Sequence, residues 1–341
     1  SGVGDWLGQP FWLWSYDPEA RLALVVGRAD EDRRLRPPFE AGDRELIEAA
    51  LHVYRDLRQT KQAQLRLAVL NGQLRSLVEA FARFVPKDFL ENLERASIAE
   101  VEAGDQVEVE KTVLFSDIRG FTSISEACSA KELFSLLNAY LATVAPCIRD
   151  NGGFIDKYIG DAVMALFDRP QDAVAASAAM IAALERFNEG RARPLEVGIG
   201  LHTGSLILGT LGDAESMQCT VISDAVNLAS RLEGLTKDFE AKVLISGAVL
   251  ARLPAEAVPA HRFCGRVRVK GKSEAVEVYE LTAALEPARR AALERAAPMF
   301  ACFFEALEDG RLEDAARSLR GALGEAPGDA VAELHAAELA E

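Results

Sequence analysis

The sequence predicts an α+β protein: a ferredoxin-like β-α-β-β-α-β palm with extra C-terminal strands and helices, flanked by an N-terminal coiled-coil helix and a C-terminal helical hairpin. Three observations predict it. Apolar strand-like runs and helical runs alternate from Thr112 to Leu201 in the order of that palm. Leucines and phenylalanines upstream of it step by three and four. After Pro287 the composition turns alanine-rich and helical. With 341 residues and 49% hydrophobic content, the chain can bury one sizeable core and carry appendages.

Residues 1–42 form an N-terminal extension with an aromatic stretch (Trp6, Phe11, Trp12, Trp14), a strand-like Leu22-Ala23-Leu24-Val25-Val26 and a Pro37-Pro38 break. It is either irregular or similar to the last strand and exit helix of a GAF-type sensor domain. Residues 43–104 read as a helical linker. Leu67, Leu70, Leu74, Leu77, Phe81 and Phe84 mark a heptad seam, and Pro86 stops the helix before a short second one. A parallel dimeric coiled coil is the expected reading; an amphipathic helix packed on its own domain is the alternative.

The palm falls within residues 105–286. Thr112–Asp117 is its first strand and Ala130–Arg149 its first helix. Phe154–Phe167 is a hairpin turning at Gly160-Asp161, Asp172–Asn188 the second helix and Leu195–Leu201 the fourth strand. Residues 287–341 carry Gly310-Arg311-Leu312-Glu313-Asp314-Ala315, Leu319, Ala322 and Pro327, which fit the second half of a tetratricopeptide repeat. One such unit cannot stand alone, so it packs on the preceding domain or opens an array. A plain helical hairpin is the alternative.

Asp117 and Asp161 each end a short apolar run. A carboxylate at the tip of a buried strand is costly unless something pairs with it. Two of them offer hard oxygen ligands to Mg²⁺, which takes one or two carboxylates plus substrate phosphates. The plain alternative is two strand-end aspartates capping turns. Asp117 runs on through Ile118-Arg119-Gly120-Phe121-Thr122, where free backbone N–H groups at a helix start can cradle phosphate.

Cys219–Leu232 reads as a strand, a cap at Ser223 or Asp224, and a helix with a buried stripe at Ala225, Leu228, Ala229 and Leu232. Asn227 and Arg231 are four apart on a polar face. Such a pair is either a solvated face or a holder of ribose and phosphate, to which the Arg fork is suited. Arg266–Ser273 is a strand ending in a basic turn. It contains Gly271-Lys272-Ser273, but Arg266 stands where a P-loop needs glycine.

Together, Phe115–Thr122, Asp156–Asp161, Gly198–Gly204, Thr220–Arg231 and Val269–Lys272 resemble the catalytic domain of class III nucleotidyl cyclases, the adenylyl and guanylyl cyclase family. The resemblance runs from about Glu108 to Thr282. It implies that Asp117 and Asp161, with the Ile118 carbonyl, hold two Mg²⁺ ions per site, Mn²⁺ being an alternative. It implies that Lys157 and Thr220 read adenine, Asn227 positions the ribose and Arg231 stabilises charge on the α-phosphate. Lys270 would hold the outer phosphates, with Gly120, Phe121 and Thr122 also binding substrate. The implied reaction closes ATP to 3′,5′-cyclic AMP and releases pyrophosphate; no side chain stands out as general base.

Guanine readers in this family carry an acidic residue and a cysteine where this chain has Lys157 and Thr220, so ATP is favoured over GTP. In this family one chain's metal aspartates and base-reading residues serve different sites. The implied assembly is a head-to-tail homodimer with shared sites, and a monomer would be inactive. Ser223 replaces the family's usual glycine, and His202 reads as strand-end structure. A guanylyl cyclase, or a non-catalytic dimerisation or nucleotide-sensing module, are the alternatives.

The net charge of −15 argues against nucleic acid as a partner. Five cysteines without a CxxC pair suit a reducing compartment and no structural zinc. No apolar run approaches about 18 residues. A cytoplasmic location is expected for this part of the protein, compatible with a membrane segment or sensor domain upstream and a protein partner on the C-terminal helices.

Overall fold

A computed structural model describes residues 12–17, 22–27, 41–81, 86–213, 216–268 and 275–340. The chain divides into two units, 1–84 and 85–341.

In the first unit, β1 (Trp12–Asp17) and β2 (Leu22–Gly27) pair antiparallel, Trp14 opposite Val25. This part of the extension is therefore a hairpin rather than irregular chain. The single helix α1 (Ala41–Phe81) follows. Leu67, Leu70, Leu74 and Leu77 are each more than half exposed along it, so the stripe predicted from the sequence lies bare on one chain. Phe84 and the other residues at 82–85 lie outside the described residues.

The second unit opens with α2 (Lys87–Asn92), which starts directly after Pro86. Then come β3 (Gln106–Ile118), α3 (Phe121–Ala127), α4 (Ala130–Asp150), β4 (Gly153–Ile159), β5 (Ala162–Phe167), α5 (Pro170–Asn188) and β6 (Val197–Gly212). These are followed by β7 (Met217–Ile222), α6 (Asp224–Asp238), β8 (Val243–Ser246), α7 (Gly247–Leu250), β9 (His261–Arg268) and β10 (Ala275–Leu281). Three helices close the chain: α8 (Pro287–Glu308), α9 (Leu312–Glu325) and α10 (Ala330–Ala340).

The strands make one sheet in the order β4-β5-β3-β6-β8-β10-β9, with β7 paired to β6. Its β4-β5-β3-β6 part is the predicted palm. The second half of β3, from Lys111 to Ile118, is almost wholly buried because both of its faces are covered. Leu114 and Ile118 enter a core with α4 and α5, while Val113 and Phe115 enter a second core with α2 and α6. Ser129 starts α4 with a reciprocal capping box to Glu132.

β6 extends well past its predicted end at Leu201. Its first half pairs parallel with β8 and its second half antiparallel with β7, while β3 runs along the other edge. α6 lies on this strand in very close contact. A Cβ added at Gly200 would sit 2.3 Å from the Glu233 amide nitrogen and 2.4 Å from the Ala229 carbonyl.

The C-terminal segment has three helices rather than the two of a hairpin. Of the two arrangements predicted for it, the structure has the packed one. Phe300, Phe303, Leu319 and Val331 share a core with Leu232 of α6, Phe239 just after it, Leu244 of β8 and Val278 of β10. The seam is locked by Arg262, which reaches Glu280 at 2.7 Å and Asp329 at 2.6 and 2.8 Å.

Candidate active site

β3 ends at Asp117-Ile118, and the β4–β5 turn brings Asp161 beside it. Gly160 makes this turn with φ +65°. The Ile118 amide donates to Asp161 Oδ2 at 3.3 Å. Burial raises the Asp161 carboxyl to about 6, aided by a hydrogen bond with Asp117 and by its charge. Lys237 of α6 brings its ammonium to 3.7 Å from Asp117 Oδ2. The structure thus brings together Asp117, Ile118 and Asp161.

Among the described residues, no three His, Cys, Asp or Glu side chains form a metal cage. Two adjacent carboxylates, Asp117 and an Asp161 whose proton affinity burial and Asp117 raise, with a cationic side chain already drawn to Asp117, form a donor set that fits Mg²⁺ completed by substrate phosphates.

A third carboxylate escaped the sequence reading. Glu233 is buried under α6, and burial raises it to about 7, followed by the charge of Asp117; Lys237 and Arg119 pull the other way. Its signal was a charged residue in a run of buried positions at Ala229, Leu232 and Thr236. Arg119 turns away from the carboxylates, and its Nη2 donates to the carbonyls of Thr236 and Ala241 at 2.8 and 2.6 Å.

Lys157 on β4 donates to Thr220 Oγ1 on β7 at 3.5 Å. The neighbouring residues Cys219 and Val221 pack into the second core. Asp156, also missed from sequence, lies 3.3 Å from the Lys157 ammonium with its side chain only 3% exposed, and burial raises its pKa. It fixes the lysine by charge.

Gly120, at φ +65°, starts α3, so Phe121 and Thr122 form a first turn directly after the carboxylate strand. Ser223 caps α6: its Oγ accepts from the Ala225 amide at 2.9 Å and donates to the Ser205 carbonyl at 2.5 Å. The predicted glycine-to-serine departure therefore supplies a cap. His202 is buried against Ser246 Oγ at 2.7 Å, a structural contact of the sheet.

Asn227 and Arg231 are exposed on α6. At about 100° per residue they lie on the far side of the helix from the buried Ala229. Among the described residues, no hydrogen bond or ion pair joins either of them to Asp117 or Asp161. Lys270, with the rest of Val269–Lys272, lies outside the described residues.

A family model, the adenylate and guanylate cyclase catalytic domain, matches residues 104–283. The adenylate cyclase of Anabaena cylindrica is 37% identical over 291 residues, spanning 80% of this chain and 57% of that protein. The terminal-differentiation-specific adenylate cyclase of Dictyostelium discoideum is 37% identical over 218 residues, 61% of this chain and 10% of that protein. The solved structure of a bacterial light-regulated adenylyl cyclase is 29% identical with a TM-score of 0.56, covering 66% of each chain. The chain therefore spans less than two thirds of these curated relatives. Among the described residues no helix is long and apolar enough to cross a membrane.

Proposed function

We propose, from the premise that this chain belongs to the adenylate and guanylate cyclase catalytic-domain family, that it is an adenylyl cyclase converting ATP to 3′,5′-cyclic AMP and pyrophosphate. The observation that carries this reading is the apposition of Asp117 and Asp161 across the Ile118 amide. The Lys157–Thr220 contact adds the choice of base.

In this reading Asp117, Asp161 and the Ile118 carbonyl hold two Mg²⁺ ions, or Mn²⁺. When bound, such ions supply Lewis-acid stabilisation of charge at the α-phosphate. Lys157 donates to an acceptor on the adenine edge, with Asp156 holding its ammonium, and Thr220 offers a hydroxyl beside it. Asn227 orients the ribose and Arg231 places its fork against the α-phosphate. The N–H groups at Gly120, Phe121 and Thr122, with Lys270, take the outer phosphates. The ribose 3′-oxygen forms its bond to the α-phosphorus as the bond to the β-bridging oxygen breaks. The electron pair leaves with pyrophosphate, and the 3′-hydroxyl proton passes to solvent or phosphate. Charge stabilisation supplies most of the acceleration.

Asn227 and Arg231 are exposed on α6 and make no hydrogen bond or ion pair with the aspartates of their own chain among the described residues. The reading therefore includes a head-to-tail homodimer in which each site takes its carboxylates from one copy and its Lys157, Thr220, Asn227 and Arg231 from the other. Exposed Tyr158, Ile159, Leu211 and Met217 on the β4–β5 and β6–β7 hairpins offer apolar surface for that contact. The exposed leucines of α1 suit a parallel coiled coil to an upstream sensor.

The test is a product assay with ATP or GTP and Mg²⁺ or Mn²⁺. Cyclic AMP is expected. Cyclic GMP alone would overturn the base assignment, and no product from a folded dimer would leave a nucleotide-sensing or dimerisation module.

A further inference from the structure

A cavity of about 610 Å³ lies beside the carboxylate cluster but outside it. Its walls come from the end of α5, the segment 194–197, the end of α6 and the start of α8. That volume is within the range of small-molecule sites, about 300–1,000 Å³. Four cations line it, Arg119, Lys237, Lys242 and Arg289, in a chain whose net charge is −15. One side of the wall is apolar, formed by Ile181, Leu184, Leu195, Val197 and Leu285.

Two of these cations, Arg289 and Arg119, have no carboxylate partner among the described residues. Arg289 lines the cavity and forms no ion pair among the described residues, and its Nη2, turned into the protein, is buried without a hydrogen-bond partner. Glu280, whose charge Arg289 favours, also keeps its Oε1 unpartnered, so the two do not satisfy each other. A buried charged donor without a partner is costly, and native structures rarely retain one without a reason. Arg119 spends Nη2 on the Thr236 and Ala241 carbonyls, and among the described residues its Nε and Nη1 carry no hydrogen bond. Lys242 is held by Glu185 at 2.9 Å and Lys237 is drawn toward Asp117. Glu196 and Glu240 on the same wall form no ion pair with any of the four. The rim is rigid, because the Asn188 amide bonds both the N–H and the C=O of Leu195 at 2.8 Å.

We propose that this cavity binds a small organic anion, a carboxylate carried on a short apolar body, with the carboxylate on Arg289 and Arg119 and the body against Leu184, Leu195 and Leu285. Arg119 follows Ile118 directly and ties down the end of α6, so occupancy is transmitted to the carboxylate cluster. The binding stands by itself; the effect on turnover rests on the cyclase reading above.

The experiment is ligand-observed saturation-transfer NMR on the full chain with hexanoate, with hexanol as the neutral isostere and inorganic phosphate as the anion without a body. Saturable hexanoate binding is expected, weakened at least about tenfold by Arg289→Gln and by Leu285→Trp, which fills the apolar end where Leu285 is partly buried. Hexanol and phosphate should each bind at least about tenfold more weakly than hexanoate. Circular dichroism checks the fold of both variants; if Arg289→Gln fails to fold, Leu285→Trp decides. The site is overturned if hexanoate does not saturate, if hexanol or phosphate matches it, or if the folded variants bind like the parent. Hexanoate that binds without changing cyclic nucleotide production overturns the coupling alone. Absence of cyclase activity leaves the NMR result standing as the test of the site.

Discussion

The Asp161 carboxylate accepts the Ile118 amide at 3.3 Å, pinning the tip of the β4–β5 hairpin to the end of β3. This contact makes two distant sequence runs into one cluster. Asp117→Ala and Asp161→Ala should each lower cyclic nucleotide production at least about 100-fold, since either removes a ligand of the proposed metal pair. Circular dichroism should be unchanged. Near-parent activity in either variant would remove the metal assignment.

A mixing experiment addresses the shared sites. Asp117→Ala and Arg231→Ala chains, each inactive alone, should recover about a quarter of parent activity when co-purified. Half of the random dimers are then mixed, and each has one intact site of two. Mixed samples that stay inactive, with heterodimers demonstrated, would place all site groups within one chain.

Base choice depends on the Lys157–Thr220 contact. Lys157→Glu combined with Thr220→Cys should lower turnover of ATP at least about tenfold and raise that of GTP, by reversing donor and acceptor at the base edge. Unchanged ATP preference would mean that these two side chains do not read the base.

Glu233 sets a pH dependence. Its folded-state pKa is raised from 4.5 to about 7, chiefly by burial. The folded state then holds this proton more tightly than the unfolded chain does. The resulting stabilisation is complete below pH 4.5 and is lost as pH rises through about 7. In urea unfolding with EDTA, Glu233→Gln should flatten the loss of stability between about pH 5 and 8 and be the more stable form at the upper end. Parallel curves for the two proteins would show that Glu233 keeps an ordinary pKa.

The seam to the C-terminal helices gives a stability prediction. The Arg262 side chain is 10% exposed between Glu280 at 0% and Asp329 at 4%. Arg262→Met leaves two buried carboxylates uncompensated and should cost about 3–5 kcal/mol. Asp329→Asn should cost less, because Arg262 keeps Glu280. Urea unfolding that ranks the two the other way would contradict this account.

The palm was legible because its elements have clean periods and its aspartates end apolar runs. β6 was not legible beyond Leu201, because Thr203, Gly204 and Ser205 break the apolar pattern. Pairing with Glu110 and Lys111 carries the strand through regardless. α10 is not set apart in the sequence, where Pro327 belongs to the repeat-like match; Pro327 and Gly328 form a turn into a further helix. Asp156 carried no sequence signal, and the signal for Glu233, a charge among buried helix positions, does not say which carboxylates it will sit near until the helix is docked. The anion cavity draws its walls from segments far apart in the chain, and no local spacing announces it.

α6 is strapped at both ends: Ser223 fastens its start to Ser205, and Arg119 clamps its last turn through Thr236 and Ala241. In between, Gly200 lets the helix backbone rest directly on β6. The outward pair Asn227 and Arg231 therefore rides on a stiff bar with no internal hinge. In the proposed dimer, an input from upstream would have little to adjust inside one chain; what it would change is the spacing and angle at which two rigid halves meet.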